Sequence, residues 1–253
     1  MKSYEAYGDF AKVYDMFMDN VDYEAWSGYL KERLKEYGII DGLVLELGCG
    51  TGTMTELLAE SGYDMIGVDN SEEMLAEAME KKVESGHDIL YLLQDMQEFE
   101  LYGTVRAIIS VCDCMNYLTE EEDFLTVLRL ANNYLDPGGI FIFDVNTVYK
   151  YQEIMGDDTI AENREDGSFI WENSYDPETG INVYELALFL PREDGLYEKV
   201  EEVHYQRAYP EKKIREMIAE SGLELLQVYD AYTLDLPRED SERLTFIVKE
   251  HGK

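Results

Sequence analysis

Apolar and polar positions change their period twice along the chain. In DYEAWSGYLKERLKEYG the apolar residues Tyr23, Trp26, Leu30, Leu34 and Tyr37 recur every three or four positions, the period of a helix with one buried face, and Gly38 ends the run. From residue 42 short apolar runs take over. GLVLELG, YDMIGVD, DILYLLQD, VRAIISVCD and GGIFIFDVN predict strands, and TMTELLAESG, SEEMLAEAMEKKVESG and TEEEDFLTVLRLANNYL predict helices interleaved with them. Thr119 and Glu122 stand at the spacing of a capping box for the last of these helices. The strands are apolar along nearly their whole length, as strands covered on both faces are. Strands alternating with helices predict a parallel sheet.

After Asn146 the pattern shifts to alternation. GSFIWENSY, GINVYELALFL and GLYEKVEEVHYQRAY are separated by the turn-forming DPETG and PREDG, which predicts an antiparallel meander. The helix PEKKIREMIAESG and the strands LELLQVYDAYTL and RLTFIVKE follow. The expected organisation is one α/β domain built from residues 1–149 and 208–253, with 150–207 inserted as an antiparallel β cap. Such an insert would lie beside the carboxyl ends of the parallel strands, where open α/β sheets bind ligands.

Charge narrows the partners. Against 21 Lys and Arg stand 55 Asp and Glu, a net charge of -34 on 253 residues. A surface of that sign repels phosphate backbones, so unaided binding to nucleic acid is not expected. No apolar run is long enough to span a bilayer, and MKSYEAYGDF lacks the pattern of a signal peptide, so the expected location is cytoplasmic. Three cysteines make no disulfide framework. Cys112 and Cys114 flank Asp113, but the histidines His87, His204 and His251 are scattered, and no metal site is expected. Oligomeric state is left open.

The chemistry concentrates in VLELGCGTGTM, residues 44–54. Glycine after a buried strand lets a turn be tight and lets a ligand touch the backbone. A phosphate-binding loop would need Gly-Lys-Ser/Thr, and a dinucleotide fingerprint a glycine where Thr53 stands. Instead the pattern is Gly48, Gly50 and Gly52 with Cys49 between them, no lysine or arginine near, and Glu46 just before the turn. That set suits a ligand with a positive group and no phosphate.

LELGCGTG resembles motif I of the class I S-adenosylmethionine-dependent methyltransferases. The resemblance continues through Asp69 at the end of the second strand, Asp95-Met96 after the third, VCDCMNYL after the fourth and LDPGG before the fifth. The leading helical region is similar to that of a bacterial subgroup with a β insert after the fifth strand. The resemblance implies a Rossmann-like, doubly wound, mostly parallel seven-stranded sheet and S-adenosyl-L-methionine as cofactor. It implies that the glycine loop and Glu46 meet the methionyl group, Asp69 the ribose, and Asp95 and Met96 the adenine. Asn70, Met74, Cys112 and Asn116 complete the expected cofactor set, with Tyr14 and Trp26 as aromatic neighbours of the sulfonium. Tyr7, Asp113 and Tyr117 are expected on the acceptor side, and no residue is singled out as catalytic. The implied activity is in-line methyl transfer, with a small molecule favoured as acceptor over a protein or structured RNA. A non-catalytic cofactor-binding protein is the alternative outside enzymology.

Overall fold

In the computed structural model, which describes residues 11–165, 167–192 and 194–253, the apolar runs form strands at the expected places. Two helices lead, α1 (Ala11–Phe17) and α2 (Tyr23–Glu36). The strands β1 (Gly42–Leu47), β2 (Tyr63–Asp69), β3 (Leu90–Leu93), β4 (Val105–Ser110) and β5 (Leu135–Asn146) pair in parallel, with α3 (Thr53–Glu60), α4 (Glu72–Ser85) and α5 (Glu121–Tyr134) among them. A second sheet follows, made of β6 (Thr159–Asn163), β7 (Ser168–Asp176), β8 (Ile181–Pro191) and β9 (Tyr197–Arg207), all antiparallel. The chain then returns through α6 (Glu211–Ser221), β10 (Glu224–Asp230) and β11 (Arg243–Lys249). β11 lies antiparallel between β5 and β10, so the main sheet runs β10-β11-β5-β4-β1-β2-β3.

Strand alternation assigns each side chain of this sheet to one of two cores. Leu45, Leu47, Ile108, Phe141 and Phe143 pack with Phe124, Leu128, Ile214 and Ile218 of α5 and α6. Their neighbours Val44, Ile109, Ile140 and Ile142 pack on the other face with Leu30 and Leu34 of α2 and Met54 and Leu58 of α3. Leu30 and Leu34 are fully buried, worth about 1.5–3 kcal/mol each. Asp22 starts α2 by accepting from the backbone N–H of Ala25 at 2.9 Å. By the same alternation Glu46, two residues after Val44, is carried onto the α3 face, and its carboxylate accepts from the Thr55 hydroxyl there.

Two local expectations are corrected. The capping box of α5 does not form: Glu120 is the cap residue, with no side-chain hydrogen bond. The helix begins at Glu121, one residue later than a Thr119 cap requires, so Thr119 and Glu122 are out of register with its first turn, and Glu122 accepts from Arg129 at 3.0 Å. The inserted region also holds one strand more than the three expected. β6 is an edge strand exposed at four of its five positions, so it carries no alternation to read, and the chain reaches it through a π-helical turn at Lys150–Met155.

Buried side chains fasten the second sheet to the carboxyl ends of the first. Asn116 donates to the Arg207 carbonyl at 2.9 Å and to the Asn146 carbonyl at 3.2 Å, and accepts from the Asn146 N–H at 2.9 Å. Gln206 donates to Asp113 at 2.7 Å and accepts from the Tyr151 hydroxyl at 2.6 Å. No helix among the described residues is long and apolar enough to cross a membrane.

Candidate active site

The turn after β1 doubles back beneath β2. Gly48, Gly50 and Gly52 adopt φ of 71°, 53° and 77°, and the N–H groups of Gly48 and Cys49 donate to the Val68 carbonyl at 2.8 and 3.0 Å. At Gly48 a Cβ would sit 2.6 Å from Cys114 Sγ, and at Gly52 it would overlap the Tyr91 hydroxyl. Two of the three glycines thus let neighbouring elements close on the loop. Gly52 packs inward and does not line the cleft; Gly48, Cys49 and Gly50 do.

Asp69 lies across from this loop. Its Oδ2 accepts from the Gly50 N–H at 2.7 Å and its Oδ1 from the Ser71 N–H at 2.9 Å. Burial pushes its carboxyl above the usual carboxylate range, and the amides of Ser71, Gly50 and Asn70 pull it back. The cap of α4 is Ser71, whose hydroxyl accepts from the Met74 N–H at 3.1 Å, so Asp69 is not needed for that task. Asn70 and Met74 line the cleft beside it. Glu46 is 2% exposed at the cleft floor. Burial pushes its carboxyl up to about 8, against the pull of the Thr55 hydroxyl. The Cys49 thiol is likewise pushed up by burial.

Not all the expected residues reach the cleft. Trp26 stacks on Tyr232 with ring centroids 3.9 Å apart, under the Arg243 guanidinium, away from the cleft. Asp95 turns one oxygen onto the Gln97 N–H at 2.8 Å, and Gln94 and Met96 line the cleft in its place. Asn116 is wholly buried in the fastening described above. Tyr7 lies outside the described residues. Tyr14, Cys112 and Tyr117 do line the cleft, joined by Tyr23, Thr51, Thr53 and Cys114, which the sequence pattern did not single out.

Thr51 and Thr53 owe their place to a clasp. Asp15 of α1 accepts from the Thr51 hydroxyl at 2.6 Å and pairs with Lys81 of α4 at 2.5 Å, while Lys81 donates to Thr53 at 2.7 Å. The clasp holds α1 over the glycine loop, which brings Tyr14 into the cleft, hydrogen-bonded to Tyr23.

A second cavity of about 540 Å³ opens between the two sheets. Tyr14, Cys112 and Tyr117 belong to both spaces. The wall between them starts at Cys112 and Asp113, two non-glycine residues in succession with φ of 59° and 54°. Asp144 supports this backbone by accepting from their N–H groups at 3.1 and 2.7 Å. Asp113 in turn pairs with Arg243 at 2.6 Å and faces the second cavity. Across that cavity Tyr117 and His204 Nδ1 meet at 3.1 Å, and Trp171, Tyr184 and Phe169 of the second sheet give it an aromatic wall.

The donor set tests which cofactor fits. Among the described residues the first cleft is lined by two carboxyl groups, Glu46 and Asp69, and by no lysine, arginine or histidine. That suits a cationic nucleoside without phosphate, and not a pyrophosphate. Among the described residues no group of three or more His, Cys, Asp or Glu gathers as metal ligands would.

Comparison with known proteins agrees. Residues 44–139 match the family model described as a methyltransferase domain. The chain is 35% identical over 241 residues to YqeM of Bacillus subtilis (strain 168), a protein assigned by name to the methyltransferases, and the match covers 95% of each. It is 31% identical over 116 residues to the ubiquinone biosynthesis O-methyltransferase of Cronobacter sakazakii, covering 46% of each. The crystal structure of an S-adenosylmethionine-dependent methyltransferase from Clostridium acetobutylicum superposes with a TM-score of 0.88 at 30% identity, covering 98% of this chain and 100% of that one.

Proposed function

The chain belongs to the class I S-adenosylmethionine-dependent methyltransferases, and from that premise we propose that it methylates a small molecule held in the second cavity. The carrying observation is the shared wall: Tyr14, Cys112 and Tyr117 border both spaces, so a group bound in one faces a group bound in the other. The relative from Cronobacter sakazakii, named for ubiquinone biosynthesis, supports an acceptor of small size. So does the enclosure of the cavity by the second sheet, which we read as a cap spanning 150–207.

When bound, S-adenosylmethionine supplies an electrophilic methyl group on a sulfonium, ready for in-line displacement. The chain's own residues bind, orient and exclude water. Asp69 offers the second lone pair on each oxygen to the ribose hydroxyls. The Gly48–Gly50 backbone and the Glu46 carboxyl receive the methionyl end, and Gln94 and Met96 the adenine. Tyr14 and Tyr117 present oxygen and ring faces at the junction, which accommodate a cation. Fixing both partners across one wall supplies proximity, and the cap supplies a dry pocket. The cysteines Cys49, Cys112 and Cys114 are free thiols, which fits a reducing cytoplasm.

The test is to follow tritium from methyl-labelled S-adenosylmethionine into an extract of the source cells, with Asp69→Ala as control. Label in the small-molecule fraction that vanishes in the control supports this assignment. Label in protein or RNA overturns it.

A further inference from the structure

Almost every cation in the second cavity has its own carboxylates. Arg243 pairs with Asp113 at 2.6 Å and Asp144 at 2.8 Å. Arg164 pairs with Asp19 at 2.9 Å and Glu162 at 2.5 Å. The His204 ring faces Glu202 at 3.1 Å. Lys150 differs. Its ammonium donates to the neutral amide oxygen of Asn146 at 3.1 Å, and among the described residues no carboxylate lies within ion-pair distance of it.

What sets Lys150 apart from the exposed lysines of this chain is that it is half-buried in the wall of a cavity. Glu153, three residues on in the same turn, accepts from Gln152 at 2.9 Å instead of pairing with Lys150. An ammonium partly withdrawn from water without a counter-charge is costly, so a cavity that keeps one suits an anion brought from outside. An ammonium has three donors and Asn146 takes one. The walls nearby are Trp171, Phe169, Tyr184 and Met155, broad and apolar.

We propose that the methyl acceptor is an anion, carrying a carboxylate or phosphate that seats on Lys150 while its flat apolar part lies against the aromatic wall of the second sheet. This rests on methyl transfer to a small molecule as set out above. The other charges facing Lys150 are Arg243, Asp113, Glu242 and Asp144. Burial first, and then Arg243, lower its ammonium from the usual range, while the three carboxylates act in the opposite direction without reaching it as partners. A seated anion would complete the pairing.

The experiment uses the full chain saturated with S-adenosylhomocysteine. Benzoate and phenyl phosphate are titrated by calorimetry against benzamide, their uncharged counterpart. One anion should bind at least about 10-fold more tightly than benzamide, and which one does so identifies the group. Lys150→Met should erase the preference and Lys150→Arg should keep it, with S-adenosylhomocysteine affinity unchanged in both. Equal binding of anion and amide, no anion binding, or a preference that survives Lys150→Met overturns the proposal while leaving methyl transfer intact. Failure of the wild-type chain to bind S-adenosylhomocysteine overturns the methyl-transfer assignment as well.

Discussion

The backbone N–H of Gly50 donates to Asp69 Oδ2 at 2.7 Å, which locks the glycine loop to the end of β2. The residue expected to hold the ribose therefore also holds the shape of the loop beside it. Asp69→Ala should weaken S-adenosylhomocysteine binding by about 10-fold or more, since hydrogen bonds to a charged acceptor are lost twice over. Asp69→Asn keeps one acceptor oxygen and should lose less. Calorimetry decides; an unchanged Kd for Asp69→Ala would reject the ribose role.

Glu46 should make ligand binding in the first cleft depend on pH. Its carboxyl is pushed up from 4.5 to about 8 in the folded chain. The folded state thus holds more protons than the unfolded one in that window, and the stability of the ligand-free protein falls as pH rises through it, by a few kcal/mol at most. Binding of a cation beside Glu46 favours the carboxylate and so expels the proton. Affinity for S-adenosylmethionine should rise between about pH 6 and 8, with proton release seen as a buffer-dependent binding enthalpy. Glu46→Gln should flatten both; a slope that persists in that variant excludes Glu46 as its source.

Asp144 is 1% exposed and accepts from two backbone N–H groups, from Arg243 and from the Tyr232 hydroxyl. Its removal leaves a buried guanidinium half-paired and the Cys112–Asp113 backbone unsupported. Asp144→Asn should cost about 3 kcal/mol in denaturant unfolding. A loss under about 1 kcal/mol would show that Asp113 alone holds the network.

Trp26 separates the sequence-based expectation from the structure. Stacked on Tyr232, it buttresses α2 against the strap before β11. Trp26→Ala should cost about 2 kcal/mol of stability and leave S-adenosylhomocysteine affinity unchanged. A selective loss of affinity would return Trp26 to the cofactor.

What the sequence revealed and what it hid follow from range. The strands, the glycine loop, Asp69 and the late β insert rest on local spacing, and local spacing survives into the fold. Asp95 lies between two residues of the cleft lining, Gln94 and Met96, and one oxygen of its carboxylate closes its own turn. Asn116 reads as an active-site polar group but is spent on two distant carbonyls. The Thr119 capping box missed by one residue, because Glu120 and not Thr119 stands at the start of α5. Lys150, Arg243 and His204 carried no motif at all. They become a cavity because the insert folds back over the first sheet.

The clasp of Asp15 has a kinetic consequence. One side of α1 covers the first cleft, and Tyr14 and Phe17 from the same helix border the second cavity. On the proposed function, an acceptor held in the second cavity would keep α1 closed, so the nucleoside would enter before it and leave after the methylated product. Turnover should then be compulsory-order, with S-adenosylhomocysteine competing against S-adenosylmethionine and appearing noncompetitive toward the acceptor. Loosening the helix by Asp15→Ala should let the two arrive in either sequence.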